Sequence, residues 1–144
     1  MSACANLPGS RLLVPGLVAV VVLLLSACSS STIDASNLDK KVESAQAFIS
    51  EARFVAEKSR EGKLTGAYRR AHVDALRDEV DGIRNQLESA PKQPQVAGKT
   101  AQAAALLGEA SKLMADLADH GTDEAGQSRL EELANSLKEL RSGD

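Results

Sequence analysis

From residue 36 onward, apolar side chains return at alternating intervals of four and three residues, and that spacing leaves few folds open. The first series is Leu38, Val42, Ala45, Ile49, Ala52 and Ala56. A repeat averaging about 3.5 residues puts every member on one stripe of an α-helix, whereas a strand would need alternation. A second stripe holds Val73, Leu76, Val80, Ile83 and Leu87, preceded by Tyr68 and Ala71 or His72. The third holds Ala103, Leu106, Ala110, Leu113 and Leu117, and the fourth Leu130, Leu133, Leu137 and Leu140. Four stripes predict four helices, near 36–61, 66–90, 99–119 and 123–141.

The residues between the stripes act as punctuation. Ser36 with Asp39 reads as a capping pair, and Gly62 as a helix stop. Pro91 and Pro94 suit no helix interior and close the second helix. The turns at 62–66 and around Gly121-Thr122 are short, and short links make sequential helices antiparallel neighbours. The expected fold is therefore all-α, an antiparallel (up-down-up-down) four-helix bundle with coiled-coil-like seams over residues 36–142. Two helical hairpins pairing with a second copy would bury the same stripes. Alanine at Ala45, Ala52, Ala56 and Ala110 lets helix axes approach closely but buries little area per residue, which predicts a thin core and modest stability.

Ahead of the bundle stands a different kind of sequence. Arg11 precedes the apolar run Leu12 to Leu25, and Ser26, Ala27 and Cys28 follow it. Charge, apolar stretch and small residues, in that order, are the layout of an export signal. A membrane-spanning helix needs about 20 apolar residues, while this run has 14 and carries Pro15 and Gly16 near its start.

The tetrad Leu25-Ser26-Ala27-Cys28 resembles the lipobox of bacterial lipoproteins. That resemblance implies a signal peptide over 1–27, a diacylglyceryl group on the Cys28 sulfur, cleavage between Ala27 and Cys28, and acylation of the new amino group. It implies a palmitate-type lipid anchor and membrane attachment without a spanning helix, since each buried methylene contributes about 0.8 kcal/mol. Residues 28–35 then read as the lipidated cysteine and a flexible tether. With Ser29 after Cys28, the resemblance implies the periplasmic face of the outer membrane in a Gram-negative cell, and the outer face of the plasma membrane otherwise. The terminal lysine through which the major outer-membrane lipoprotein joins peptidoglycan is missing, so covalent wall attachment is not implied. The resemblance covers the leader and tether, and the bundle itself carries no family motif.

Composition narrows the function of the 117 residues from Cys28 onward. Phe48, Phe54 and Tyr68 are the only aromatics, too few to stack bases or line a broad aromatic pocket. Sixteen basic side chains face 20 acidic ones there, the reverse of a nucleic-acid-binding balance. Cys28 is the only cysteine past the leader, so that part has no internal disulfide. Neither a phosphate loop, a nucleophile elbow nor a zinc signature occurs, and the chain reads as a non-enzyme with no cofactor.

Three groups of polar residues are candidates for chemistry. Arg60, Lys63, Arg69 and Arg70 gather at the first turn, and Asp116, Asp119, Asp123 and Glu124 at the third, ends that coincide in an up-down bundle. They form either an interaction tip for a partner or an anionic polymer, or two clusters that offset one another by at most about 1 kcal/mol per exposed pair. Asp116, Asp119, His120, Asp123 and Glu124 have the ligand types of a loose divalent-cation site, although the same types are favoured at helix ends without a metal. His72 lies at the edge of the second stripe, where it is either a core-edge residue or an axial haem ligand. No Glu-x-x-His pair or Cys-x-x-Cys-His sequence accompanies it. The sequence thus points to a membrane-anchored helical interaction or structural module with a protein partner or self-association. The alternative is a bundle that binds a small molecule, metal or haem.

Overall fold

Each of the four predicted helices forms within two residues of its expected bounds: α1 Ala35–Arg60, α2 Gly66–Ser89, α3 Ala97–His120 and α4 Glu124–Ser142. The computed structural model describes residues 32–121 and 123–142. The segment 1–27 expected to be a signal peptide, with Ala27, and Cys28 lie outside them.

Helix α1 starts on a different cap from the one its sequence predicts. Asp34 has extended backbone (φ −106°, ψ 177°) and its Oδ1 accepts from the Asn37 N–H at 2.8 Å, so Ser36 is already helical. The preceding residue decides this. Ile33 is 1% exposed, its N–H donates to the Pro91 carbonyl at 2.7 Å and its carbonyl accepts from the Gln93 N–H at 3.0 Å. This parallel bridge fixes the chain just before Asp34, so by Ile33 the segment expected to be a tether over 28–35 is part of the core, while 28–31 lie outside the described residues.

At its other end α1 closes as the sequence predicts. Gly62 has φ +71°, its N–H donates to Ser59, and the Lys63 N–H donates back to Lys58, both at 3.0 Å. This paired closure requires a left-handed residue at Gly62. Thr65 then caps α2, its hydroxyl accepting from the Tyr68 N–H at 3.2 Å.

Helices α1 and α3 pack on each other, each also packs on α2 and α4, and α2 and α4 stand opposite one another without contact. Cross-helix pairs run in opposite order along neighbouring helices: Lys41 with Gln86, Glu51 with His72 and Ser59 with Arg69 between α1 and α2; Glu43 with Arg141 and Arg53 with Glu131 between α1 and α4. That is the order an up-down-up-down arrangement requires.

The first stripe is buried in full, with Val55 added, and the second is buried at Val73, Leu76, Val80 and Leu87. Ile83 packs against the core from its edge, whereas Tyr68 and Ala71 are exposed. The third stripe is rotated from its expected position. Leu107 and Met114 are fully buried while Leu106 and Leu113 sit on the flank, so the seam runs Ala103, Leu107, Ala110, Met114 and Leu117. Both series keep helical spacing. The rotation arises because α3 must face α1, α2 and α4 at once, and burying Ala104, Ser111 and Ala118 beside the seam meets that demand. Leu130, Leu133 and Leu137 of α4 complete the core, with Leu140 half-buried.

Candidate functional site

The end of the bundle that holds the α1–α2 and α3–α4 turns brings the two predicted charge clusters together. Arg69, in the first turn of α2, reaches across to α1, where its Nη1 donates to the Ser59 hydroxyl at 3.3 Å. Its guanidinium also lies under the turn at Gly121. A Cβ there would stand 3.2 Å from Arg69 Nη1, and Gly121 itself has φ +76°, so two independent reasons keep that position a glycine. Arg70 faces Asp119 of α3 with 3.9 Å between Nε and Oδ1, both side chains largely exposed.

The remaining acids of this end are committed elsewhere. Asp116 Oδ1 meets His120 Nδ1 at 3.1 Å. Asp123 accepts the Gly126 N–H at 2.9 Å and so caps the start of α4. Glu61 is held by Lys63 Nζ at 2.6 Å and by Lys58 Nζ at 2.9 Å, and those two ammonium groups, Lys63 first, hold its carboxyl down at about 2. Lys58 is in turn raised above the usual lysine value by Glu57 and then Glu61, and it also lies 5.4 Å over the Phe54 ring.

The five candidates for a cation do not converge: Asp116 and His120 face each other, Asp119 faces Arg70, and Asp123 caps α4. Among the described residues no three His, Cys, Asp or Glu side chains gather closely enough to hold a metal ion. Glu124 opens α4 as an acidic residue in its first turn, where the helix dipole favours it.

Between the turns lies a cleft of about 350 Å³ lined by Ala56, Ser59, Arg60, Arg69, His120, Gly121 and Asp123. Arg60, Arg69, His120 and Asp123 were legible as candidates from their charge and place in sequence. Ser59 and Gly121 were not, because a serine late in a helix and a turn glycine each have an ordinary structural role. Only the approach of Arg69 shows their part in the cleft.

His72 belongs to a separate surface. Its ring stacks on Tyr68 with centroids 5.5 Å apart, and Nε2 lies 2.8 Å from Glu51 Oε1 on α1. Both its neighbours are exposed, which places His72 at the rim of the bundle. A shallow groove of about 780 Å³ follows the opposite end of the α2–α3 seam, between Leu87, Ala104 and Gly108, beneath the Arg84 side chain. Arg84 pairs there with Asp81, which also accepts from the Ser111 hydroxyl at 2.9 Å.

Among the described residues no helix is long and apolar enough to cross a membrane. No family model, curated protein or solved structure matches the chain.

Proposed function

We propose that the chain is a lipid-anchored envelope lipoprotein whose helical bundle acts as a non-catalytic interaction or structural module. The Leu25-Ser26-Ala27-Cys28 tetrad behind a 14-residue apolar run carries this reading. Two properties of the bundle support it. Its seams are filled by leucine, valine and alanine side chains, and its polar surface is organised by pairwise ion contacts rather than by a convergent set of acid, base and nucleophile.

The buried Ile33 gives the anchor a mechanical consequence. Five peptide links separate Cys28 from Ile33, at most about 18 Å when extended. A lipid on Cys28 would keep the end of the bundle formed by Ile33, Pro91 and the start of α1 close to the membrane. Helix α1, 26 residues and about 39 Å long, would then carry the turns at 61–66 and 121–123 away from it.

Metabolic labelling with an alkyne fatty acid tests the anchor directly. Labelled protein that begins at Cys28, with label lost in Cys28→Ala, is the expected result. An unlabelled protein beginning elsewhere would overturn the reading. Photo-crosslinking in intact cells from exposed positions on α2 and the tip tests the module: a discrete protein adduct, or a crosslinked second copy, is expected, and uncrosslinked monomer at every position would count against it.

A further inference from the structure

We infer that α4 is a detachable strap: it opens as one unit from a remainder of α1, α2 and α3 that stays folded, and bares the apolar faces of α1 and α3 beneath it. The other three helices are tied to one another at both ends. At one end the Ile33 bridge joins the start of α1 to the linker between α2 and α3. At the other, Arg69 of α2 donates to Ser59 of α1 and lies under Gly121 at the end of α3. Between these ends α3 packs far more extensively on α2 than on α4, and Asp81 of α2 accepts from the buried Ser111 hydroxyl of α3 at 2.9 Å.

Helix α4 is held differently. Arg53 pairs with Glu131 at 2.7 Å, Glu109 with Arg129 at 2.6 Å and Glu43 with Arg141 at 3.5 Å, and all six side chains are partly or largely exposed, so these pairs contribute little. Clefts follow both flanks of α4, one of about 490 Å³ against Leu113 and Asp116 of α3 and one of about 110 Å³ against Gln46, Ser50 and Arg53 of α1. Its Gln127 Nε2 is buried without a hydrogen-bond partner, a donor that opening returns to water. The row Leu130, Leu133, Ala134 and Leu137 is what closes it. Helix α2 buries a row of similar size, Val73, Leu76, Val80 and Leu87, but its ties at both ends keep it in place. Local opening selects the element with the fewest buried contacts, and α4 is that element. A strap of this kind makes access to the faces of α1 and α3 conditional in an interaction module; that use rests on the reading proposed above, whereas the opening itself does not.

Amide hydrogen exchange of the intact chain in detergent, read by mass spectrometry across a urea series below the unfolding transition, tests the opening alone, so its failure and that of the lipoprotein reading are distinguishable. Peptides covering Leu130 to Leu137 are expected to exchange roughly tenfold or more faster than the buried parts of α2 and α3, with a urea slope above zero and below that of global unfolding. Leu87→Ala truncates a fully buried side chain of α2, a helix that does not touch α4. It weakens the closed and the open form alike, so α2 and α3 should exchange roughly tenfold or more faster while α4 stays within about twofold of wild type. Val80→Ala, a smaller truncation of the same helix, gives the same contrast should Leu87→Ala fail to fold. An α4 that accelerates by the same factor as α2, equal protection and slope in all four helices, or α4 exchange that urea leaves unchanged would each overturn the assignment.

Discussion

Ile33 and Pro91 are joined by a 2.7 Å backbone hydrogen bond, and through it the chain that enters the bundle is tied to the linker between α2 and α3. The Ile33 side chain is buried in the same core cluster as Leu38, Leu87 and Val96. A residue that looks like part of a spacer is thus a structural element. Any load on the amino-terminal segment would reach the core within a few residues.

Ile33→Ala should therefore behave as a core truncation and lower unfolding free energy by about 2–4 kcal/mol. Thr32→Ala, one residue earlier and exposed, should lie within about 0.5 kcal/mol of wild type. Urea denaturation followed by circular dichroism distinguishes the two. Equal stability of both variants would show that the bridge at Ile33 does not persist in solution.

The rotated seam of α3 makes a second contrast. Leu107→Ala removes a fully buried side chain and should cost about 2–5 kcal/mol, while Leu106→Ala, on the flank, should cost clearly less. The reverse ranking would return the seam to the spacing read from sequence. Thermal melts of the two single variants are sufficient.

Glycines at different positions should respond with opposite signs. Gly62 sits at φ +71°, so Gly62→Ala should destabilise by about 1 kcal/mol. Gly82 lies inside α2, where an added Cβ meets nothing within 4 Å, and Gly82→Ala should stabilise by about 0.5–1 kcal/mol. Finding both changes in the same direction would contradict the closure at Gly62.

Glu61 gives the pH prediction. Its folded carboxyl titrates at about 2 against an ordinary 4.5 because Lys63 and Lys58 favour the ionised form. A depressed acid contributes stability that is fully present above the ordinary value and is lost as pH falls through the folded value. The stability difference between wild type and Glu61→Gln should stay constant above pH 4.5 and shrink between 4.5 and about 2. The side chain is at the surface, where salt screens the pairs, so the effect should also weaken at high ionic strength. A carboxyl carbon signal that titrates near 4.5 would refute the pairing.

Helix number, helix bounds and three of the four seams were present in the sequence, because apolar periodicity and turn glycines act over a few residues and do not depend on partners. Leu38, Val42, Ile49, Leu130, Leu133 and Leu137 are buried as their spacing requires. The seam of α3 was ambiguous because two adjacent apolar pairs, Leu106-Leu107 and Leu113-Met114, offer neighbouring stripes of equal spacing. Only the three helices that surround α3 select between them. The same holds for the tip. The basic and acidic residues near the turns could be named from the chain, as could the lipobox-like tetrad Leu25-Ser26-Ala27-Cys28, since both are local patterns. Which charges pair, and that Ser59 and Gly121 stand beside Arg69, depend on side chains far apart in sequence meeting at one end of the bundle. A local pattern carries no information about such a meeting, and packing decides it.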